Sequence, residues 1–190
     1  QTVAASETGL RLAVALVGFW RDRGHLSEGS RWLKHGLAQY HGEIDRTLRA
    51  KALNALGLLL LFQDKLNAAQ VHLEESLALF RELGDKRFLA DILSDYGMLF
   101  VLRGDPERAA PPLEESLALW REVGNTNGIT QSLFFLGNLA YIQGNGRRAK
   151  ALWEESLIGK RAADETWFVA NILANLAMVA LDQNDYRQAE

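Results

Sequence analysis

Leu73-Glu74-Glu75-Ser76-Leu77-Ala78-Leu79 returns unchanged as Leu113–Leu119, forty residues later. A drifted third copy, Trp-Glu-Glu-Ser-Leu-Ile-Gly, begins at Trp153, and Leu33 and Leu37 hold the places of Leu73 and Leu77 forty residues earlier. A fixed period of this size means one supersecondary unit stacked on copies of itself, because such a unit cannot bury its apolar face alone. The units run over residues 5–44, 45–84, 85–124, 125–164 and 165–190, the last one truncated.

Inside a unit the apolar spacing is helical. In the second, Leu53, Leu56 and Leu60 mark a helix A over about Arg46–Gln63, and Ala69, Leu73, Leu77 and Phe80 mark a helix B over about Leu66–Leu83. No stretch alternates with the two-residue period of a strand, so the fold class is all-α. Breakers and caps recur at the A-to-B turn: Arg23-Gly24, Gln63-Asp64, Gly104-Asp105-Pro106, Gly144-Asn145-Gly146 and Asn184-Asp185. Gly104 suits a left-handed C-cap, Asp105 the next N-cap and Pro106 a first helical turn. Gly84-Asp85 and Gly124-Asn125 stop helix B. Pro111 and Pro112 conflict with this pattern, and a helix starting at Pro106 should be kinked or interrupted there.

Small residues repeat in register: Gly57, Gly97, Gly137 and Ala177 in helix A, then Gly29, Ala69, Ala109, Ala149 and Ala189 in helix B. Two helices approach closely only where side chains are small, so the crossing recurs because the unit recurs. Leu53, Leu93, Leu133 and Leu173 should fill the space between neighbouring pairs, and Trp20 and Trp32 should pack together in the first.

Composition excludes several classes. A net charge of −3 with scattered lysines and arginines leaves no footprint for nucleic acid or an anionic membrane. The absence of cysteine removes disulfides, thiol catalysis and thiolate metal sites, and fits a reducing, cytoplasmic setting. Leu56–Phe62, the longest apolar run, is far short of the roughly 20 residues that span a bilayer. Because the chain begins on Gln1 and stops at Glu190 inside a unit, a fragment of a larger protein is expected.

The side chains suited to catalysis do not assemble into a site. Glu74-Glu75, Glu114-Glu115 and Glu154-Glu155 are helical neighbours about 100° apart, so a pair cannot flank one scissile bond, and their recurrence suits a solvated face. His25, His35, His41 and His72 lack the i, i+4 spacing of a helical zinc site. Gly144-Asn145-Gly146 lacks the Gly-Lys-Ser/Thr of a phosphate loop and reads as a turn. Neither an enzyme, a metal nor a cofactor is expected. Arg21, Arg23, Arg31 and His25 form a local basic cluster that suits ordinary solvated charge or the acidic surface of a neighbouring domain.

Gly57, Leu60, Ala69, Leu73 and Ser76 occupy the small–aromatic–small–aromatic–small positions of tetratricopeptide repeats, as do Gly97, Phe100, Ala109, Leu113, Ser116 and Gly137, Ala140, Ala149, Trp153, Ser156. The chain resembles that family over almost its whole length, with a forty-residue period in place of about 34. The longer period is similar to that of kinesin light chains and of the C-terminal superhelix of MalT-like and LuxR-type regulators. Phe19 to Leu33 resembles the opening of the repeat domain in bacterial STAND-type signal-transduction ATPases.

The resemblance implies an α-solenoid of antiparallel helix pairs coiled into a right-handed superhelix, with helix A lining its concave side. The implied groove residues are Lys51, Asn54, Leu58 and Leu61; Asp91, Ser94, Met98 and Val101; Gln131, Phe134, Asn138 and Tyr141; and Asn171, Ala174, Met178 and Leu181. Amides and hydroxyls among apolar groups suit a peptide backbone and its side chains. The two-carboxylate clamp of chaperone-binding relatives is not reproduced, since Phe134 stands where its lysine is expected beside Asn138 and Asn175.

The implied function is a ligand-sensing arm of a cytoplasmic signal-transduction ATPase or transcriptional regulator, binding a peptide, protein or small inducer. A stand-alone adaptor scaffold is the alternative. The truncated last unit leaves an apolar face through which copies can associate end to end.

Overall fold

The computed structural model of the chain describes residues 3–39, 45–159 and 166–182. The described residues are helical throughout apart from turns and caps. In chain order the helices are α1 (Val3–Ala15), α2 (Val17–Asp22), α3 (Leu26–Ala38), α4 (Arg46–Leu61), α5 (Leu66–Leu83), α6 (Lys86–Leu102), α7 (Pro106–Val123), α8 (Thr126–Ile142), α9 (Gly146–Gly159) and α10 (Thr166–Asp182). Helices A and B of the second unit are thus α4 and α5, as the apolar periods require. The fifth turn at Asn184-Asp185, Ala189 and His41 lie outside the described residues.

Local signals set the boundaries. Asp105 Oδ1 accepts from Arg108 N at 3.2 Å, Asn125 Oδ1 from Gly128 N at 3.0 Å, and Asn145 Oδ1 from Arg148 N at 3.0 Å. Each satisfies an N–H with no partner inside the helix. Helices α5 and α7 end on Gly84 and Gly124, both at φ 70°. In that left-handed region a Cβ collides with backbone, so glycine ends these helices at least cost.

Of the two expected effects of the prolines, interruption does not occur. Helix α7 starts at Pro106 as predicted, but it is not interrupted: it continues through Pro111 and Pro112 to Val123. The rings remove two backbone donors, yet Pro112 is buried with Leu113, Ser116 and Leu117, and burial of the helix's inner stripe offsets the loss.

The chain divides into two compact units, Gln1–Leu99 and Phe100–Glu190. In the first, α4 packs along α5 and against α3 and α1. Its core includes Leu33, Leu53, Leu56, Leu59, Leu60, Leu73 and Phe80. Small residues make the close approach possible. A Cβ at Gly57 would lie 2.6 Å from Leu73, and one at Gly29 would lie 2.5 Å from Trp20. Ser76 Oγ ties α5 to α4 by donating to Ala50 O at 2.8 Å.

In the second unit α8 packs against α7 and α9. Phe134, Ala140, Ala149, Trp153, Ile172 and Val179 form one buried cluster. A Cβ at Gly137 would lie 2.4 Å from Trp153 Nε1. Ser156 Oγ donates to Thr130 O at 2.9 Å, repeating the Ser76 bond eighty residues on.

Two packing expectations fail. Trp20 is core, but Trp32 is 54% exposed, so the two do not form a shared core, whereas its counterpart His72 feels Lys34 of the preceding α3. Leu53, Leu93 and Leu133 are buried, whereas Leu173 on α10 is 54% exposed.

Candidate functional site

The predicted inner-face residues fall on four A helices, α4, α6, α8 and α10. In the first unit Lys51, Asn54 and Leu58 on α4 and Met98 on α6 are half-buried, Asp91 is exposed, and Leu61 and Ser94 are buried. Lys51 Nζ sits 3.9 Å from the centre of the Phe88 ring, a cation–π contact that holds the ammonium near α6. Asn54 meets Asp95, a residue the register argument passes over.

Asp95 is buried, and burial first, then the charge of Asp91, push its carboxyl up to about 7 against the opposing pull of Asn54 and Arg21. Burial also raises Asp91 to about 6. Asp91 is accessible to water, yet the protein around it excludes enough solvent to disfavour its charge. Asn54 Oδ1, Ser94 Oγ and His72 Nδ1 are buried polar atoms without a partner. Burial is the main cause that lowers the His72 pKa, with Lys34 adding to it and Glu75 opposing, so an uncharged imidazole is favoured.

In the second unit Gln131, Asn138 and Tyr141 on α8 and Asn171 on α10 are half-buried, Phe134 is buried, and Ala174, Met178 and Leu181 are exposed. Asn138 is committed to internal bonds. Its Oδ1 accepts from Trp153 Nε1 at 3.1 Å and from Asn175 Nδ2 at 3.0 Å. Tyr141 lies over Trp153 with ring centres 6.0 Å apart, and Phe134 against Phe135 at 5.6 Å. Together they make a polar seam between α8 and α10 with aromatic groups beside it.

Sequence reasoning missed Asp95 and the role of Trp153. A signal for Asp95 existed: residues 55, 95, 135 and 175 are Ala, Asp, Phe and Asn, so one unit places a charge where its neighbours are apolar or neutral.

The paired glutamates have structural work on the helix surfaces. Glu75 pairs with Arg49, Glu74 Oε1 accepts from Tyr96 Oη at 3.0 Å, and Arg121 Nη2 lies 3.1 Å from Glu155. In the basic cluster, Arg21 Nε donates to Asp22 at 2.9 Å and His25 stacks on Phe19. Arg31, Lys34, His35 and Lys65 line a cleft of about 450 Å³ over Leu60, and none of the predicted inner-face residues lines it. Among the described residues no helix is long and apolar enough to cross a membrane.

A tetratricopeptide repeat family model matches residues 48–122. The described helices superpose on solved solenoids of that kind. BtubC (BKLC) from P. vanneervenii matches with a TM-score of 0.74 at 18% identity, over 98% of this chain and 85% of that one. A putative kinesin light chain from Podosopora anserina with nearly identical TPR-like repeats gives 0.72 at 16% identity, over 96% and 90%. PilF of Pseudomonas aeruginosa gives 0.70 at 19%, over 97% and 73%. The fold is a tetratricopeptide-repeat fold. At these identities the likeness shows the fold alone. No curated protein matches the chain.

Proposed function

We propose that this chain is a protein-binding module whose units each capture a peptide or protein segment on the inner faces of their A helices, α4 and α6 in the first unit and, separately, α8 and α10 in the second. One observation carries the reading. Each inner helix presents half-buried or exposed amides and charges beside apolar groups: Lys51, Asn54 and Leu58; Asp91 and Met98; Gln131 and Tyr141; Asn171 and Met178. Such a surface can hydrogen-bond an extended backbone and hold its side chains. Repeat scaffolds of this fold are generally binding proteins without catalysis of their own.

Within that reading, the finer role is the sensing arm of a cytoplasmic ATPase regulator, supported by the resemblance of residues 19–33 to the start of such arms. The ligand would act by binding two states of the parent protein unequally. A stand-alone adaptor is supported equally well. A nucleotide-binding Gly-x-x-x-x-Gly-Lys-Ser/Thr segment in the same polypeptide would decide for the regulator.

The test is selection of binding peptides from a random library, followed by affinity measurements on Asp91→Lys, Met98→Ala and Gln131→Ala. Asn138 is avoided because it holds Trp153 and Asn175. The expected loss is about tenfold or more per variant, equivalent to roughly 1.4 kcal/mol. Amide shift changes confined to α5, α7 and α9 on peptide addition would place the site on the outer helices and defeat the proposal.

A further inference from the structure

Helices α4 and α6 meet across a seam that contains a carboxyl. Asp95 is 8% exposed, and its counterparts in register are Ala55, Phe135 and Asn175. Facing it is Asn54, whose side-chain amide holds the Asp95 pKa down as a donor would, while its own Oδ1 is buried and has no partner. The amide's donor, Nδ2, is therefore the atom turned to the carboxyl. A carboxylate can only accept, so it cannot serve the orphaned oxygen, whereas a protonated carboxyl has an O–H to give. Leaving a buried acceptor unmade is costly, and so is keeping a buried charge without a cation in contact.

We propose that Asp95 is held protonated in this seam, donating its O–H to Asn54 Oδ1 while Asn54 Nδ2 donates back, so that one proton closes α4 onto α6. The carboxyl and the carboxamide then form a reciprocal pair that satisfies both groups. Deprotonation releases the proton to water, restores the orphaned acceptor and places a second negative charge one helical turn from Asp91.

The charges around the seam leave the protonated form favoured. From α6, Asp91 opposes ionisation. From α2, Arg21 favours it, but that guanidinium is already bonded to Asp22 at 2.9 Å. From α4, Lys51 is one turn before Asn54 with its ammonium over Phe88. Helix α5 turns its carboxylates elsewhere, Glu75 to Arg49 and Glu74 to Tyr96. With the carboxyl pushed up to about 7, the seam responds near neutrality.

An acid that holds its proton more tightly when folded stabilises the fold fully below its unfolded value. That stability is lost as pH rises towards and through the folded one. Between pH 5 and 8.5 the Asp95 shift from 3.8 to about 7 corresponds to an increase of about a hundredfold in the unfolding constant. Asp91, raised to about 6, adds a smaller slope of the same sign. The inference does not rest on the groove proposal.

The experiment is urea unfolding of the whole chain from pH 5 to 8.5, for wild type and Asp95→Asn, with a ¹³C titration of the Asp carboxyls in wild type. The carboxamide introduced by Asp95→Asn carries an N–H donor at every pH. The expected result is a wild-type stability that falls with pH more steeply than that of the variant, which keeps only the shallow and opposed slopes of Asp91 and His72 and exceeds wild type at pH 8.5. A variant with the full wild-type slope, or one less stable than wild type at pH 8.5, overturns the proposal. Should the variant not fold, the titration decides. A carboxyl midpoint near 7 that is assigned to Asp95 supports the pair, and a midpoint in the ordinary range near 4 removes it.

Discussion

Asp64 stands at φ 57° in the A-to-B turn, at the register position held by Gly24, Gly104 and Gly144, all of which also have positive φ. The turn needs a left-handed residue, and aspartate tolerates that conformation better than most side chains but less well than glycine. Asp64→Gly should therefore stabilise the protein by about 1 kcal/mol, seen as a higher urea midpoint with an unchanged slope. A lower midpoint would mean that the Asp64 side chain contributes something that outweighs its backbone strain. This position was legible as a turn because its neighbours in the period are glycines. That Asp95 and Asn54 meet was not, because register assigns a residue to a helix face and not to a bond.

At the scale of the element, the helix pair owes its tightness to the small residues. Gly137 lies under the Trp153 indole, whose Nε1 also bonds Phe134 O at 3.3 Å and Asn138 Oδ1 at 3.1 Å. Indole and backbone are both fixed, so an added methyl cannot be accommodated by rotating a flexible end. Gly137→Ala should cost roughly 1–3 kcal/mol despite alanine's better helix propensity, measured as a fall in melting temperature and in unfolding free energy. A stabilised variant would show that the crossing has slack and that glycine recurs there for another reason. The first repeat, read as two helices, has its helix A divided at Leu16 into α1 and α2. Helix existence, length and caps from α4 to α9 were read correctly from periodicity and turn chemistry. The continuity of α7 through Pro111 and Pro112 was not, because local propensity does not contain the energy of the stripe that α7 buries.

At the scale of the whole molecule, apolar side chains are exposed on α1, α2 and α3 and on α10. Leu12, Phe19 and Trp32 are 59%, 53% and 54% exposed, while Ala52 and Leu59, the counterparts of the first two, are fully buried. What covers α4 and α5 is the helix pair before them, as shown by the approach of Gly29 to Leu59 and of Lys34 to His72. In the second unit α10 exposes Leu173 and Leu181. A second copy brings apolar helix faces of the same form, so end-to-end association is the expected outcome at high concentration. Trp32→Glu should weaken it by about tenfold or more, read from sedimentation over a concentration series. If wild type stays monomeric into the millimolar range, the exposed end has no role in self-association.

The amino-acid sequence alone determined that the chain is helical, that its unit is a pair of helices forty residues long, and where glycine and alanine let the two approach. It could do so because periodicity and small-residue register are properties of neighbours along one chain, repeated often enough to be read without coordinates. Only the tertiary structure decided that Trp32 is bare while Trp20 is core, that Asn138 is committed to Trp153 and Asn175, and that Asp95 is buried against Asn54. Those outcomes depend on which side chain from a distant helix reaches a given atom, and on whether any helix is present to cover it.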